Sequence, residues 1–295
     1  MTGAVNILQF GQSGQLGTEL IAALSKDSNL RATILGRAQA DFTDPSAIES
    51  AVLKADALDV VINAVAYTAV DRAEQEEALA HLVNAEAVDA MARACAARGV
   101  PLIHVSTDYV YDGAKAGPYV ESDPTAPLNA YGRTKLAGED RIRDRLPAHV
   151  ILRTSWIYST GGRNFMTTML RLGAERDEVR VVDDQYGAPT SARDLAEAIA
   201  VIARQITGPA PQFGTYHYAN AGETSWHGFA GEIFRQAGLK ARAVPIPASE
   251  YPTPARRPAN SRLDLTKISR IFGIEPPAWQ ASLAKVLAGM KETRT

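Results

Sequence analysis

The stretch Asn6-Ile7-Leu8-Gln9-Phe10-Gly11-Gln12-Ser13-Gly14-Gln15-Leu16-Gly17 decides the fold. Ile7, Leu8 and Phe10 form a short apolar run suited to a strand buried on both faces, and Leu16, Leu20, Ile21 and Leu24 then recur at helical spacing. A strand, a glycine turn and a helix therefore follow one another near the N-terminus. Glycines at 11, 14 and 17 let the chain turn tightly, bring backbone amides close to a diphosphate and pack the new helix against the strand, with the helix N-terminus facing the anion. A glycine triad alone is weak evidence, but here its flanks supply the context the motif needs. The expectation is a dinucleotide site with Gly11, Ser13, Gly14, Gln15, Leu16 and Gly17 along it.

Bulk properties narrow the field. A chain of 295 residues can bury a substantial core and is long enough for two lobes. Net charge is −2 and hydrophobic content 46%, with no basic block to follow a phosphate backbone, so a nucleic-acid partner is not expected. No apolar run reaches the roughly eighteen residues of a spanning helix, and the first strand begins too near Met1 for a signal peptide. Neither membrane nor secretion is expected. The single cysteine, Cys95, lies among alanines, can form no internal disulfide, and reads as a small core residue in a reducing cytoplasm.

Outward from the glycine turn, Arg31 to Leu35 reads as the second strand, ending at Gly36-Arg37. An acidic residue at this place bonds the ribose hydroxyls of NAD, whereas an arginine pairs with the extra phosphate of NADP. Arg37 thus favours NADPH, with NADH the alternative and a solvated loop arginine the plain reading. Asp44-Pro45 is a helix cap and first-turn proline. Asp59 to Asn63 reads as the fourth strand, and the small residues after it let a flat ligand approach the backbone. A helix is expected from His81 to Arg98.

Pro101-Leu102-Ile103 leads into His104-Val105-Ser106-Thr107-Asp108, and hydroxyls just past the carboxyl end of a parallel strand point into the ligand crevice. Tyr131 and Lys135 stand four residues apart, one helical turn on one face. A free phenol, with a pKa of about 10, is a poor acid or base near neutrality unless a neighbouring charge favours phenolate. Lys135 is placed to supply that charge, although an exposed Tyr and Lys pair has the same spacing. Gly117 to Asn129 reads as the loop between the two, of a kind that often closes over ligands.

The glycine turn, Thr107 beyond its strand and the Tyr131-Lys135 pair together resemble the extended short-chain dehydrogenase/reductase family, whose catalytic residues are a Ser or Thr, a Tyr and a Lys. Further runs, Asn63 to Glu74, Arg153 to Tyr158, Asp184 to Thr190 and Tyr251 to Ser261, resemble the members that reduce a dTDP-keto sugar, and the likeness spans nearly the whole chain. The resemblance implies a Rossmann-type doubly wound parallel sheet with a smaller α/β substrate lobe. It implies NAD(P)H-dependent reduction of the C4 keto group of dTDP-4-dehydro-L-rhamnose, with Thr107, Tyr131 and Lys135 catalytic. Lys135 would also hold the nicotinamide ribose. Asp41 and Phe42 would lie beside the adenine, Ala66, Tyr67 and Thr68 along the cofactor, and Asn84 behind the active site. Asp108 would orient the sugar. Related dehydratases carry an Asp-Glu pair after the threonine; here Tyr109 follows Asp108, so no acid stands ready to expel a hydroxyl. A magnesium site at a homodimer contact occurs in some relatives, but no carboxylate cluster assigns Mg2+ here. A nucleotide-sugar epimerase and a non-catalytic NADP-binding regulatory subunit are the alternatives.

After Leu152 the simple alternation of strands and helices stops. Trp156, just beyond a strand end, is either core or an aromatic face for a sugar. Val179 to Thr190 reads as a strand and ordered loop, Ala192 to Ile202 as an apolar helix, and Tyr216 to Asn220 as a return to the main sheet. Ser249 to Arg262 places Arg256, Arg257 and Arg262 on a proline-stiffened loop, chemistry suited to a diphosphate or simply a charged surface. Arg257 is the substrate-binding candidate. The expected division is a dinucleotide domain over 1–153 with 191–220, and a substrate lobe over 154–190 and 221–295.

Overall fold

The computed structural model describes residues 4–292. The opening run forms β1 (Val5–Phe10), with residues 7–10 all buried, and α1 (Gln15–Ser25) turns Leu16, Leu20 and Leu24 inward. β2 (Leu30–Leu35) and α2 (Pro45–Lys54) follow, with the Asp44 carboxylate accepting from the Ser46 and Ala47 amides as the cap expected there. β3 (Val60–Asn63) is the third strand of the chain, not the fourth. Between Leu35 and Asp44 the side chains compete with strand pairing: Gln39 Oε1 accepts from the Gly36 amide at 3.1 Å and Asp41 Oδ1 from the Thr43 amide at 2.9 Å.

Two short helices, α3 (Val70–Ala73) and α4 (Glu77–His81), then run through a π-helical turn at Leu82–Glu86 into α5 (Ala87–Arg98). The helix expected from His81 thus begins earlier and is broken by the π turn. β4 (Leu102–Thr107), a 3-10 turn at Asp108–Val110, α6 (Ala130–Arg145) and β5 (His149–Thr154) complete the first half. Beyond them lie β6 (Ile157–Tyr158), α7 (Phe165–Glu175), β7 (Glu178–Val182), β8 (Tyr186–Gly187), β9 (Thr190–Ser191), α8 (Ala192–Ile206), β10 (Gly214–His217), β11 (Thr224–Ser225), α9 (Trp226–Ala237), β12 (Arg242–Ile246), α10 (Thr266–Phe272) and α11 (Trp279–Glu292).

Six strands form one parallel sheet in the order β10-β5-β4-β3-β1-β2. β10 pairs Tyr216 with Leu152 of β5, so the chain does return to the main sheet. One face of the sheet is covered by α1 and α8 through Leu20, Leu24, Ile199 and Ile202, the other by α2, α5 and α6 through Ile48, Val88, Met91 and Ile142. Both faces are therefore dry, which parallel strands of continuous apolar residues require. A separate core joins α7, α9 and α11 with β7 through Met166, Phe229, Ile233, Leu283 and Val179, beside the two-stranded β12-β7 pair. The sheet order reverses at β1, whose neighbours are β2 and β3. Ligands of such sheets bind where the order reverses, beyond the carboxyl ends of the strands.

Candidate active site at the carboxyl ends of the strands

The loop between β1 and α1 uses its three glycines for three different reasons. Gly11 holds φ +104°, a conformation that glycine adopts without a Cβ penalty. A Cβ on Gly17 would stand 2.5 Å from the Gly11 carbonyl oxygen, so α1 seats on the loop only through bare backbone. Gly14 has an ordinary φ of −75°, and a Cβ there would meet no protein atom within 4 Å. Gly14 also caps α1 without a side-chain bond, which leaves the first amides of the helix free for an anion. Behind the loop the buried Gln9 donates from Nε2 to the carbonyls of Gly11 at 2.7 Å and Gly17 at 3.0 Å. Open space before Gly14 and a clamped backbone behind it fit the diphosphate of a nicotinamide dinucleotide.

The neighbouring candidates divide. Ser13 is exposed beside the loop, whereas the Leu16 side chain is core, so only its amide can face a ligand. Gln15 Oε1 accepts from Ser159 at 3.1 Å and Asn164 at 2.8 Å, pinning the loop to the segment after β6. At the end of β2, Arg37 projects into solvent with Nε 3.2 Å from Asp41 Oδ2. Phe42 is 5% exposed and packs edge-on to Phe10, a core position rather than an open face for adenine. After β3, Ala66 and Tyr67 are half-buried and Thr68 is exposed. The Tyr67 phenol donates to Glu76, and its amide donates to Asn84 Oδ1 at 2.8 Å. Asn84 sits in the π turn and also donates to Thr134 Oγ1 at 3.1 Å, so one side chain ties this turn to α6. π turns recur at functional sites, and this one lets the chain meet the helix that carries Tyr131.

That helix is aimed with care. Asn129 caps it, accepting from the Gly132 amide at 2.8 Å, and Glu74 accepts from the Ala130 amide at 2.7 Å. Gly132 packs so tightly that a Cβ would stand 2.2 Å from the Tyr109 carbonyl oxygen. The first turn of α6 is thereby pressed onto the 3-10 turn after β4, and Tyr131 comes up against Thr107 and edge-on to Tyr109, with ring centroids 5.9 Å apart. Burial pushes the Tyr131 phenol well above its ordinary range; the Thr107 hydroxyl opposes the shift and Asp108 adds to it. Thr107 Oγ1 donates to Asp108 Oδ1 at 3.0 Å and accepts from the Tyr109 amide at 3.1 Å. Burial pushes the Asp108 carboxyl up to about 6, with the Ser261 and Thr107 hydroxyls working against it. Its Oδ2 is buried with no partner of hydrogen-bond geometry.

Lys135 lies on α6, one turn beyond Tyr131. It is 1% exposed, and its Nζ lies 2.8 Å from the Val105 carbonyl and 3.0 Å from His104 Nε2. The amine is turned toward β4. Burial lowers the lysine to about 8, with Glu139 one turn along the helix opposing.

Trp156 carries φ +48°, an outlier for a bulky side chain, and stacks on Trp226 with centroids 3.6 Å apart. A Cβ on Gly187 would meet the indole at 2.8 Å. Strained backbone of this kind persists where the surroundings over-determine it, which is common in ligand clamps. On the proline-stiffened loop, Arg257 forks onto Asp71 at 2.9 and 3.1 Å beside Tyr109. Arg262 reaches Glu223 at 3.1 Å, and Arg256 is exposed. The loop therefore straps the β3 turn to the Thr107–Tyr131 cluster, and two of its three arginines already have carboxylate partners. Among the described residues no group of three metal-ligating side chains comes together, and no helix is long and apolar enough to cross a membrane. Gln9, Glu74, His104, Asn129, Gly132 and Trp226 support the site without having been assigned a role from sequence. Asn129 before an apolar-poor helix was the one carrying a usable signal, as a cap.

A doubly wound parallel sheet with a phosphate loop, and a threonine, tyrosine and lysine beyond its strand ends, define a nicotinamide-dependent short-chain oxidoreductase. Residues 5–292 match the family described as RmlD substrate binding domain. A dTDP-4-dehydrorhamnose reductase of Salmonella typhimurium is 43% identical, covering 99% of this chain and 100% of its own. Crystal structures of dTDP-4-dehydrorhamnose reductases from Clostridium acetobutylicum (36% identity, TM-score 0.91, 97% of this chain and 100% of that one) and, in complex with NADP, from Bacillus anthracis (34%, TM-score 0.90, 97% and 99%) superpose on it. The chain belongs to the dTDP-4-dehydrorhamnose reductase family.

Proposed function

We propose that this chain reduces the C4 keto group of dTDP-4-dehydro-L-rhamnose to give dTDP-L-rhamnose, with NADPH as the reductant. The observation that carries the reading is the phenol of Tyr131 held against the Thr107 hydroxyl beside the Gly11–Gly17 loop, in a chain whose relatives over their full length bear that name. Bound in the loop, NADPH supplies the hydride that C4 receives. Tyr131 delivers the proton to the carbonyl oxygen. Burial keeps the phenol protonated at neutral pH, which suits a donor to an oxygen that becomes strongly basic as the bond forms. Thr107 bonds the same oxygen and favours the charge developing on it. Asp108, through its unpartnered Oδ2, and the Trp156 indole orient the sugar, and Arg257 meets the diphosphate while sharing its guanidinium with Asp71. The core around α7, α9 and α11 serves as the substrate lobe. Arg37, solvent-exposed and paired with Asp41 at the end of β2, is the residue through which the 2′-phosphate of NADPH is preferred.

The test is the loss of reduced-nicotinamide absorbance when purified protein receives dTDP-4-dehydro-L-rhamnose, with NADPH and NADH compared and the product identified by mass and NMR. One equivalent of NADPH oxidised per dTDP-L-rhamnose formed is the expected result. Sugar interconversion without net oxidation of either cofactor would replace the reductase with an epimerase.

A further inference from the structure

His104 takes no part in the chemistry above, yet it is wholly buried and touches Lys135. Its hydrogen bonds can be assigned a direction. The Val65 amide donates to Asn63 Oδ1 at 2.9 Å, which fixes the Asn63 side chain with its NH2 toward His104 Nδ1, 3.0 Å away. An NH2 group can only donate, so Nδ1 must accept, and a neutral imidazole then carries its proton on Nε2. Nε2 lies 3.0 Å from Lys135 Nζ. That N–H can donate into the lone pair of a neutral amine. It cannot face an ammonium without setting two donors against each other, and at 0% exposure no water stands by to relieve the conflict. The amine keeps a hydrogen for the Val105 carbonyl at 2.8 Å, so this tautomer of His104 favours the unprotonated lysine.

We propose that His104 is a positioning residue whose tautomer, set by Asn63, holds the Lys135 amine against β4 and opposes its protonation. The tautomer thereby sets both the direction of the lysine side chain and the ease with which it takes a proton. The idea rests on the role given to Lys135 in the reading above. The charged and titratable groups around the pair are few: Glu139 on α6 faces Lys135, and His149 on β5 faces His104. Glu139 is itself held by Arg153 at 2.6 Å. Burial drives the histidine far below its ordinary pKa, so the imidazolium does not compete, and lowers the lysine to about 8.

The experiment is NMR on the ligand-free protein, with 15N in the histidine rings and 13C at the lysine ε-carbons, in wild type, His104→Gln and His104→Phe. In wild type, His104 should carry its proton on Nε2 with Nδ1 bare. A glutamine can accept from Asn63 and donate to Lys135, so His104→Gln should leave the Lys135 midpoint within half a unit. His104→Phe removes the donor and relieves the ammonium, so the midpoint should rise by about one unit or more, a tenfold change in proton affinity. If His104 only filled space, a more apolar ring would leave the midpoint unchanged or lower it. A wild-type His104 protonated on Nδ1, or a phenylalanine variant with an unchanged or lower midpoint, overturns the proposal; the tautomer needs no variant to fold. NADPH oxidation by the same protein is a separate readout, so an active reductase that fails here loses this inference and keeps the function.

Discussion

Replacing Gly132 by alanine adds one methyl group between Tyr131 and Lys135 and touches neither. In an unobstructed helix this change is stabilising by about 1 kcal/mol. Here the new Cβ would lie 2.2 Å from the Tyr109 carbonyl oxygen and 2.9 Å from the Pro127 side chain, where atoms do not approach closer than 3.0 Å. Neither obstacle is the end of a flexible side chain: one is backbone and the other a ring. The first turn of α6 must retreat by roughly 1 Å, and overpacking of this kind costs about 1–3 kcal/mol, enough to cancel the helix gain or reverse it. The same retreat draws the phenol away from Thr107, and a misplacement of about 1 Å costs on the order of 10²-fold in rate, close to 3 kcal/mol in the barrier. Gly231→Ala is the control, because nothing lies within 4 Å of its Cβ on α9. Urea melts and steady-state kcat on both variants test the argument. The expected pattern is a Gly231→Ala protein more stable than wild type by up to about 1 kcal/mol with unchanged kcat, and a Gly132→Ala protein no more stable than wild type with kcat down about 10²-fold. A Gly132→Ala enzyme stabilised like the control and turning over at the wild-type rate would refute the claim that this contact aims the tyrosine.

Tyr131→Phe should retain NADPH affinity, measured by fluorescence titration, while kcat falls at least ~10²-fold, the scale for removing a general acid; near-normal turnover would exclude Tyr131 as the donor. Gly14→Ala should fold and melt as wild type, since its φ is ordinary and its Cβ meets no protein, yet bind NADPH at least about tenfold more weakly by filling the diphosphate's place. Gly17→Ala, whose Cβ would stand 2.5 Å from the Gly11 oxygen, should lose stability and binding together, and equal behaviour of the two variants would count against the different roles given to these glycines. For Lys135, the folded pKa lies at about 8 against 10.5 unfolded, so between those values the unfolded chain holds a proton that the folded chain has released. Stability therefore rises with pH across that window. The wild type minus Lys135→Met difference in unfolding free energy should be level below pH 8 and climb by about 3 kcal/mol toward pH 10.5, and a difference without pH dependence would mean that the amine is not buried as described.

The sequence made the sheet legible because a parallel strand buried on both faces must be apolar throughout, and Val60 to Ile62, Leu102 to Ile103 and Val150 to Leu152 are. It misplaced the count of strands where side chains decide locally: Gln39 and Asp41 bond their own neighbourhood and hold Gly36 to Asp44 in turns. It missed the π turn at Leu82–Glu86 because Leu82, Ala85 and Glu86 suit an ordinary helix equally well. What selects the π turn is distant, with Asn84 bonding Tyr67 and Thr134 at once and its carbonyl lying where a Cβ on Gly138 would come within 2.1 Å. The Phe42 ring packs on Phe10, a neighbour that no local spacing announces.

At the site itself, spacing brought out the residues that do chemistry and concealed those that aim them. A tyrosine and a lysine one turn apart can be read from a string of letters; the direction in which the lysine points cannot, because His104 and the Val105 carbonyl that hold it lie on another element. The sequence reading therefore gave Lys135 a fixed electrostatic duty toward the phenol. Burial, Thr107 and Asp108 bear on the phenol, and the lysine amine bonds the Val105 carbonyl and His104. A phenol kept protonated by burial holds the proton but is a weaker acid than a free one. A lysine charge near the tyrosine would favour release of the proton when the carbonyl oxygen is in place to take it. The Asn63–His104 pair thus helps to aim Lys135 from two neighbouring strands, where no spacing within the Tyr131 helix announces it.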